Sequence, residues 1–75
     1  MSQQVQQGDF CKFTIVYPVS PFGWNHEVDL HHASKNDTTV RVASVNQNTA
    51  DVTFKNHNGE EVTHPVFLNH LKKIM

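Results

Sequence analysis

The sequence predicts a small, mostly β fold of about five antiparallel strands with a short helical turn near its C-terminus. Three observations carry that expectation. Residues 9–17, 38–45 and 49–56 alternate apolar and polar side chains and are rich in β-branched and aromatic residues. Turn chemistry, Asn46-Gln47-Asn48 and His57-Asn58-Gly59, separates the later runs. Past Pro65, Leu68, Leu71 and Ile74 recur at the three-residue spacing of a tight helical turn.

With 75 residues, 37% of them hydrophobic, the chain can fill one core and not two. Residues 1–8 (MSQQVQQG) are polar, Gln-rich and aperiodic, and are expected to form a loose lead before a single β domain over 9–75. Strand one runs over 9–17 (DFCKFTIVY). It places Cys11, Phe13, Ile15 and Tyr17 on one face and Phe10, Lys12, Thr14 and Val16 on the other.

Pro18 and Pro21 then end the ladder, because neither has a backbone N–H to give. Residues 18–37 form the longest stretch without a clear period, with alternation over 25–31 (NHEVDLH) suggesting a short strand. A segment of that length without structure is typically functional or conceals an element.

Residues 38–56 read as a hairpin. Closing it with the three-residue loop Asn46-Gln47-Asn48 pairs Val42 with Val52, Val40 with Phe54 and Ser44 with Ala50 on the core side. Arg41 then meets Thr53, and Thr39 meets Lys55, on the outer side. In the next turn Gly59 is expected in the left-handed conformation, closing a bulged three-residue loop. That register sets Phe54 against Val62, Val52 against His64 and Ala50 against Val66, with Lys55 against Glu61 and Thr53 against Thr63 outside. A two-residue loop would set Val62 against Lys55 and mix the faces. Pro65 suits an edge strand or a strand end. Residues 66–74 are read as one or two turns of helix, with Lys72 and Lys73 complementing its C-terminal dipole.

A long first strand, a long loop, a three-stranded meander and a closing helical turn together resemble the SH3-like small barrel, a layout shared by Tudor, KOW and retroviral integrase C-terminal domains. The resemblance spans most of 9–74. A shorter one, over His57-Asn58-Gly59, His64-Pro65-Val66 and Leu71 to Ile74, is to the plasmid-encoded trimethoprim-resistant dihydrofolate reductases, which are also small barrels. That family works through a Gln-Ile-Tyr segment lining a tetrameric pore. The corresponding positions here are Val62, Thr63 and His64, so the likeness implies a layout and not that chemistry.

No catalytic constellation stands out. Cys11 shares a strand face with Phe13 and Ile15, as an inert buried thiol would, and none of the three glycines forms a phosphate loop. His26, His31 and His32, near Glu27 and Asp29, match no zinc spacing, so neither a metal nor a cofactor is expected. His64 falls on the core side, where a satisfied imidazole is expected. His57 and His70 read as ordinary turn and helix residues.

Tyr17, Phe22 and Trp24, with His26 beside them, bracket the two prolines and are the residues expected to meet a partner. Aromatic rings bury much area at low entropic cost. Arg41, Lys55, Lys72 and Lys73 are the expected phosphate contacts of an alternative, nucleic-acid-binding reading. A formal net charge of −1 with both signs scattered ranks that reading second.

The leading expectation is a non-enzymatic interaction module that docks on a larger protein. In size it resembles the small regulatory or inhibitory proteins encoded by phages and other mobile elements. One cysteine excludes an internal disulfide, and no apolar run approaches the roughly 20 residues of a membrane span. The expected setting is therefore cytoplasmic.

Overall fold

The computed structural model describes residues 5–19 and 25–74, apart from the side chains of Asn25 and His26. The elements in chain order are β1 (Phe10–Phe13), α1 (Asn25–Lys35), β2 (Val40–Val45), β3 (Thr49–Lys55), β4 (Glu61–Phe67), a 3₁₀ turn at Leu68–His70, and β5 (Leu71–Lys73). The five strands form one antiparallel sheet in the order β4-β3-β2-β1-β5, so the last strand returns to the outer side of the first. This is a mostly β fold compatible with an SH3-like small barrel.

Side-chain alternation sets the meander. Cys11, Val40, Val42, Ala50, Val52, Phe54, Val66 and Leu71 point to one side and are buried, and Leu30 and Ala33 of α1 close over them. Every expected β3–β4 pair occurs, from Lys55 opposite Glu61 to Ala50 opposite Val66. The Thr53 and Thr63 hydroxyls hydrogen-bond across the outer face at 2.9 Å. Gly59 has φ +81°, the conformation a side-chain-bearing residue avoids. Its N–H reaches the Asn56 carbonyl, and the Asn56 side chain accepts from the N–H groups of Asn58 and Glu60.

The β2–β3 hairpin departs from expectation past Val42. Arg41 and Val42 pair with Thr53 and Val52, but a bulge then shifts the register, so Ser44 faces Asp51 and Val45 faces Ala50. The turn shortens to Gln47-Asn48, with the Asn46 N–H bonded to the Thr49 carbonyl. The shift matches like with like: Ser44 Oγ donates to Asp51 Oδ2 at 2.9 Å, and Val45 replaces Ser44 opposite an alanine.

Three further corrections concern the ends of the chain and the segment before the meander. Strand one stops at Phe13, and Ile15 and Val16 are exposed, because beyond Phe13 the chain leaves β2 and runs toward α1. Instead of a loop with a short strand, residues 25–35 form a helix whose buried positions 29, 30 and 33 follow a helical period. The polar residue among them, Asp29, masks that period in the sequence. The helix ends in a Schellman motif: Thr38 N–H bonds the Ala33 carbonyl, Asp37 N–H bonds that of Ser34, and Asp37 takes φ +58°. At the C-terminus only Leu68–His70 is helical. Lys72 and Lys73 lie in β5, so they flank β1 and do not cap a helix.

The expected loose lead is docked over its described part. Val5 packs against the core, and Gly8 donates its N–H to the Val42 carbonyl from a φ of +91°.

Candidate functional site

Tyr17 lies where three elements meet. Its backbone is tied to α1, because Tyr17 N–H donates to Ser34 Oγ at 2.9 Å and His31 Nδ1 donates to the Tyr17 carbonyl at 2.7 Å. His31 and Ser34 are one helical turn apart, so a single face of α1 satisfies both polar groups of one residue. The Tyr17 hydroxyl reaches across to the 3₁₀ turn and shares a hydrogen bond with His70 Nδ1 at 2.9 Å. Burial pushes its pKa from 10 up to about 12.

An aromatic row runs out from this point. Phe13 meets Tyr17 edge to face at 5.2 Å between ring centroids, Tyr17 meets His70 at 5.4 Å, and His70 meets Phe67 at 5.5 Å. Phe67 ends the row with 58% of its surface exposed, on edge strand β4. Tyr17, Thr49, Pro65, Val66, Phe67 and His70 line an apolar groove of about 320 Å³. Phe67 also borders a second groove against Gln47, Asn48 and Asn69. A third, beside Tyr17, is formed with Pro18, Val19 and Glu27.

Of the residues expected to meet a partner, Tyr17 is thus at the groove, Phe22 and Trp24 lie outside the described residues, and His26 is in the first turn of α1 with its side chain outside them. Phe67, Pro65 and His70 were missed. Their signal was the outward parity of 65 and 67, which is hidden once 66–74 is read as helix.

Apart from these grooves, a more polar cavity of about 430 Å³ opens between α1 and the β3–β4 turn, lined by Val28, Asp29, Asn56, His57, Glu60 and His64 among others. Asp29 is 6% exposed. His64 Nε2 hydrogen-bonds its Oδ2 at 2.9 Å, and His57 Nδ1 lies 3.7 Å from its Oδ1. The His32 ring stacks on that of His57 at 4.5 Å, and His64 meets Phe54 edge to face. A buried carboxylate is tolerable when donors surround it, so this cluster holds the helix to the sheet through its polar groups. Among the described residues, no set of three or more His, Cys, Asp or Glu has the arrangement of a metal site.

The four basic residues expected to meet phosphate divide. Arg41, Lys55 and Lys72 are exposed on the outer face of the sheet. Lys73 is on the other face, where Nζ lies 3.6 Å from Asp9 Oδ2. Cys11 is fully buried, and its thiol is pushed up by burial and by the Asp9 charge against the lowering influence of Lys73. That is the opposite of what an activated nucleophile needs.

No family model, curated protein or solved structure matches the chain. No helix among the described residues is long and apolar enough to cross a membrane.

Proposed function

We propose that the chain is a non-enzymatic interaction module that binds a larger protein through the Tyr17–Phe67 groove, regulating or inhibiting the assembly it docks on. The observation that carries this reading is Phe67: a large apolar ring, more than half exposed, beside an apolar groove on an edge strand. A ring left in water at the lip of a groove is the surface a partner desolvates most profitably, and anchors of this kind dominate binding energy at interfaces. Tyr17 and His70 support it from behind. Their mutual hydrogen bond and edge-to-face contacts hold the groove walls in place before binding, which lowers the ordering cost. The buried Cys11 thiol and the Asp29–His64 pair, which ties α1 to β4, fit structural roles and favour binding over chemistry.

The test is site-specific photo-cross-linking, with a photoreactive amino acid at Phe67 and, separately, at the equally exposed Val16. The expected result is one dominant adduct from position 67, competed away by excess native chain but not by a Phe67→Ser chain. Equal adduct patterns from both positions, or competition by both chains, would remove the groove as the docking site.

A further inference from the structure

The outer face of the sheet at the β1–β2–β5 end, away from the groove, carries a different chemistry. Phe10 is 44% exposed there and pairs directly with Arg41 of β2. On its other side Ile74, 37% exposed, donates its N–H to the Phe10 carbonyl. One rung along, Lys12 of β1 stands directly opposite Lys72 of β5. Adjacent strands are about 4.8 Å apart and same-face neighbours along a strand about 7 Å apart. The Phe10 ring is therefore bordered by three cations from three strands.

Like charges directly opposite one another across a ladder are destabilising unless something neutralises them. Lys12 is partly answered by Asp37, at 2.9 Å from Nζ. Arg41 and Lys72 form no ion pair among the described residues. Of the acids on the strands of this face, Asp51 of β3 is bonded to Ser44 and Glu61 of β4, three strands from β1, lies opposite Lys55, so the corner is positive although the chain as a whole is not.

From this juxtaposition we infer that the Phe10–Arg41–Lys72 corner binds single-stranded nucleic acid. The ring stacks on an unpaired base, and Arg41, Lys72 and Lys12 meet the flanking phosphates. Charge complementarity selects a polyanion, and the exposed ring among the cations selects one that can present a flat, unstacked base. The face offers a fixed platform because its backbone is held in the ladder on both sides of β1. Sequence preference is expected to be weak, since every base has a face to stack. This site is separate from the protein-docking groove, and either can fail without the other.

The test is fluorescence anisotropy of the full chain with labelled oligothymidylate and oligouridylate of about 20 nucleotides, from about 25 to about 300 mM NaCl. With two to three phosphates neutralised, the log–log slope of affinity against salt is expected near −2. Phe10→Ala is expected to weaken binding about fivefold or more, as loss of one stacked base does. Arg41→Gln and Lys72→Gln each reduce the slope by about 0.7. Lys35→Gln, exposed at the end of α1 and off the sheet, is the charge-loss control, expected to leave the fold unchanged and to lower affinity less than either sheet variant. Far-UV circular dichroism of each variant confirms the fold, and Phe10, 44% exposed and outside the core, can be truncated without opening it. Absence of binding at the lowest salt, a slope that the Arg41 and Lys72 variants leave unchanged, or equal or tighter binding to duplex or to phosphatidylserine vesicles would overturn the assignment.

Discussion

Residues 38–67 and residues 10–37 are folded by different means. In the first stretch each strand pairs with its sequence neighbour, and alternation alone decides which side chains are buried. In the second, β1 pairs with β2 and with β5, which lie about 30 and 60 residues further along the chain. Its helix is held by contacts the local sequence does not announce: Leu30 and Ala33 in the core, Asp29 on His64, and His31 with Ser34 on the Tyr17 backbone. Local pairing is cheap to close and distant pairing is not. The comparison therefore implies that the N-terminal half depends on the meander more than the meander depends on it.

The largest expected effect tests that asymmetry directly. Phe54, 4% exposed at the centre of the meander, should cost about 3–5 kcal/mol when changed to alanine, and should lower the thermal midpoint of sheet and helix signals together. Leu30→Ala, at 6% exposure on α1, should cost about 2–5 kcal/mol but release the helical signal ahead of the sheet. Coincident transitions in the Leu30 variant would merge the two regions into one cooperative unit.

Asp29→Ala comes next, at about 1.5–3 kcal/mol, because it removes the acceptor that the part-buried His64 Nε2 reaches at 2.9 Å. Asp29→Asn keeps an acceptor for His64 and should recover part of the loss in chemical denaturation. Equal losses in both variants would mean that the charge, and not the hydrogen bond, joins the two regions.

Within the meander, Gly59→Ala should cost about 1–2 kcal/mol through its left-handed backbone, although a methyl group there meets nothing within 4 Å. An unaltered midpoint would show that the turn can relax without disturbing the register.

The smallest effect sharpens the boundary itself. Tyr17 is the only tyrosine, so absorbance near 295 nm reports it alone, and its midpoint is expected at about 12 instead of 10. Because the folded state holds this proton more tightly than the unfolded one, the contribution is fully present below pH 10 and is lost as pH rises from 10 toward 12. His70→Ala removes the hydroxyl's partner and opens the ring to water, so the midpoint should fall back toward 10. A midpoint near 10 in the native chain would place the ring in solvent.

How legible each part was follows from the same division. The meander could be read nearly pair for pair because valines and Phe54 alternate with Arg41, Thr53 and Lys55. Its one slip came where Ser44 and Val45 exchange faces through a bulge, a choice made by the Ser44–Asp51 hydrogen bond and invisible to a period of two. Helix α1 escaped because a buried aspartate interrupts its apolar stripe, and that aspartate is there for histidines about 30 residues further along the chain. The groove was half legible. Tyr17 drew notice as an aromatic beside prolines, whereas Phe67 and His70 lay in a stretch whose spacing imitated a helix while the chain turned once and resumed as strand.

Cys11 gives this arrangement an internal clock. It is the only cysteine, it is fully enclosed, and it sits on the strand that both distant partners must leave before anything can reach it. An alkylating reagent added to the native protein has to wait for that departure. The rate at which the sulfur is modified therefore counts how often β1 lets go of its neighbours on either side.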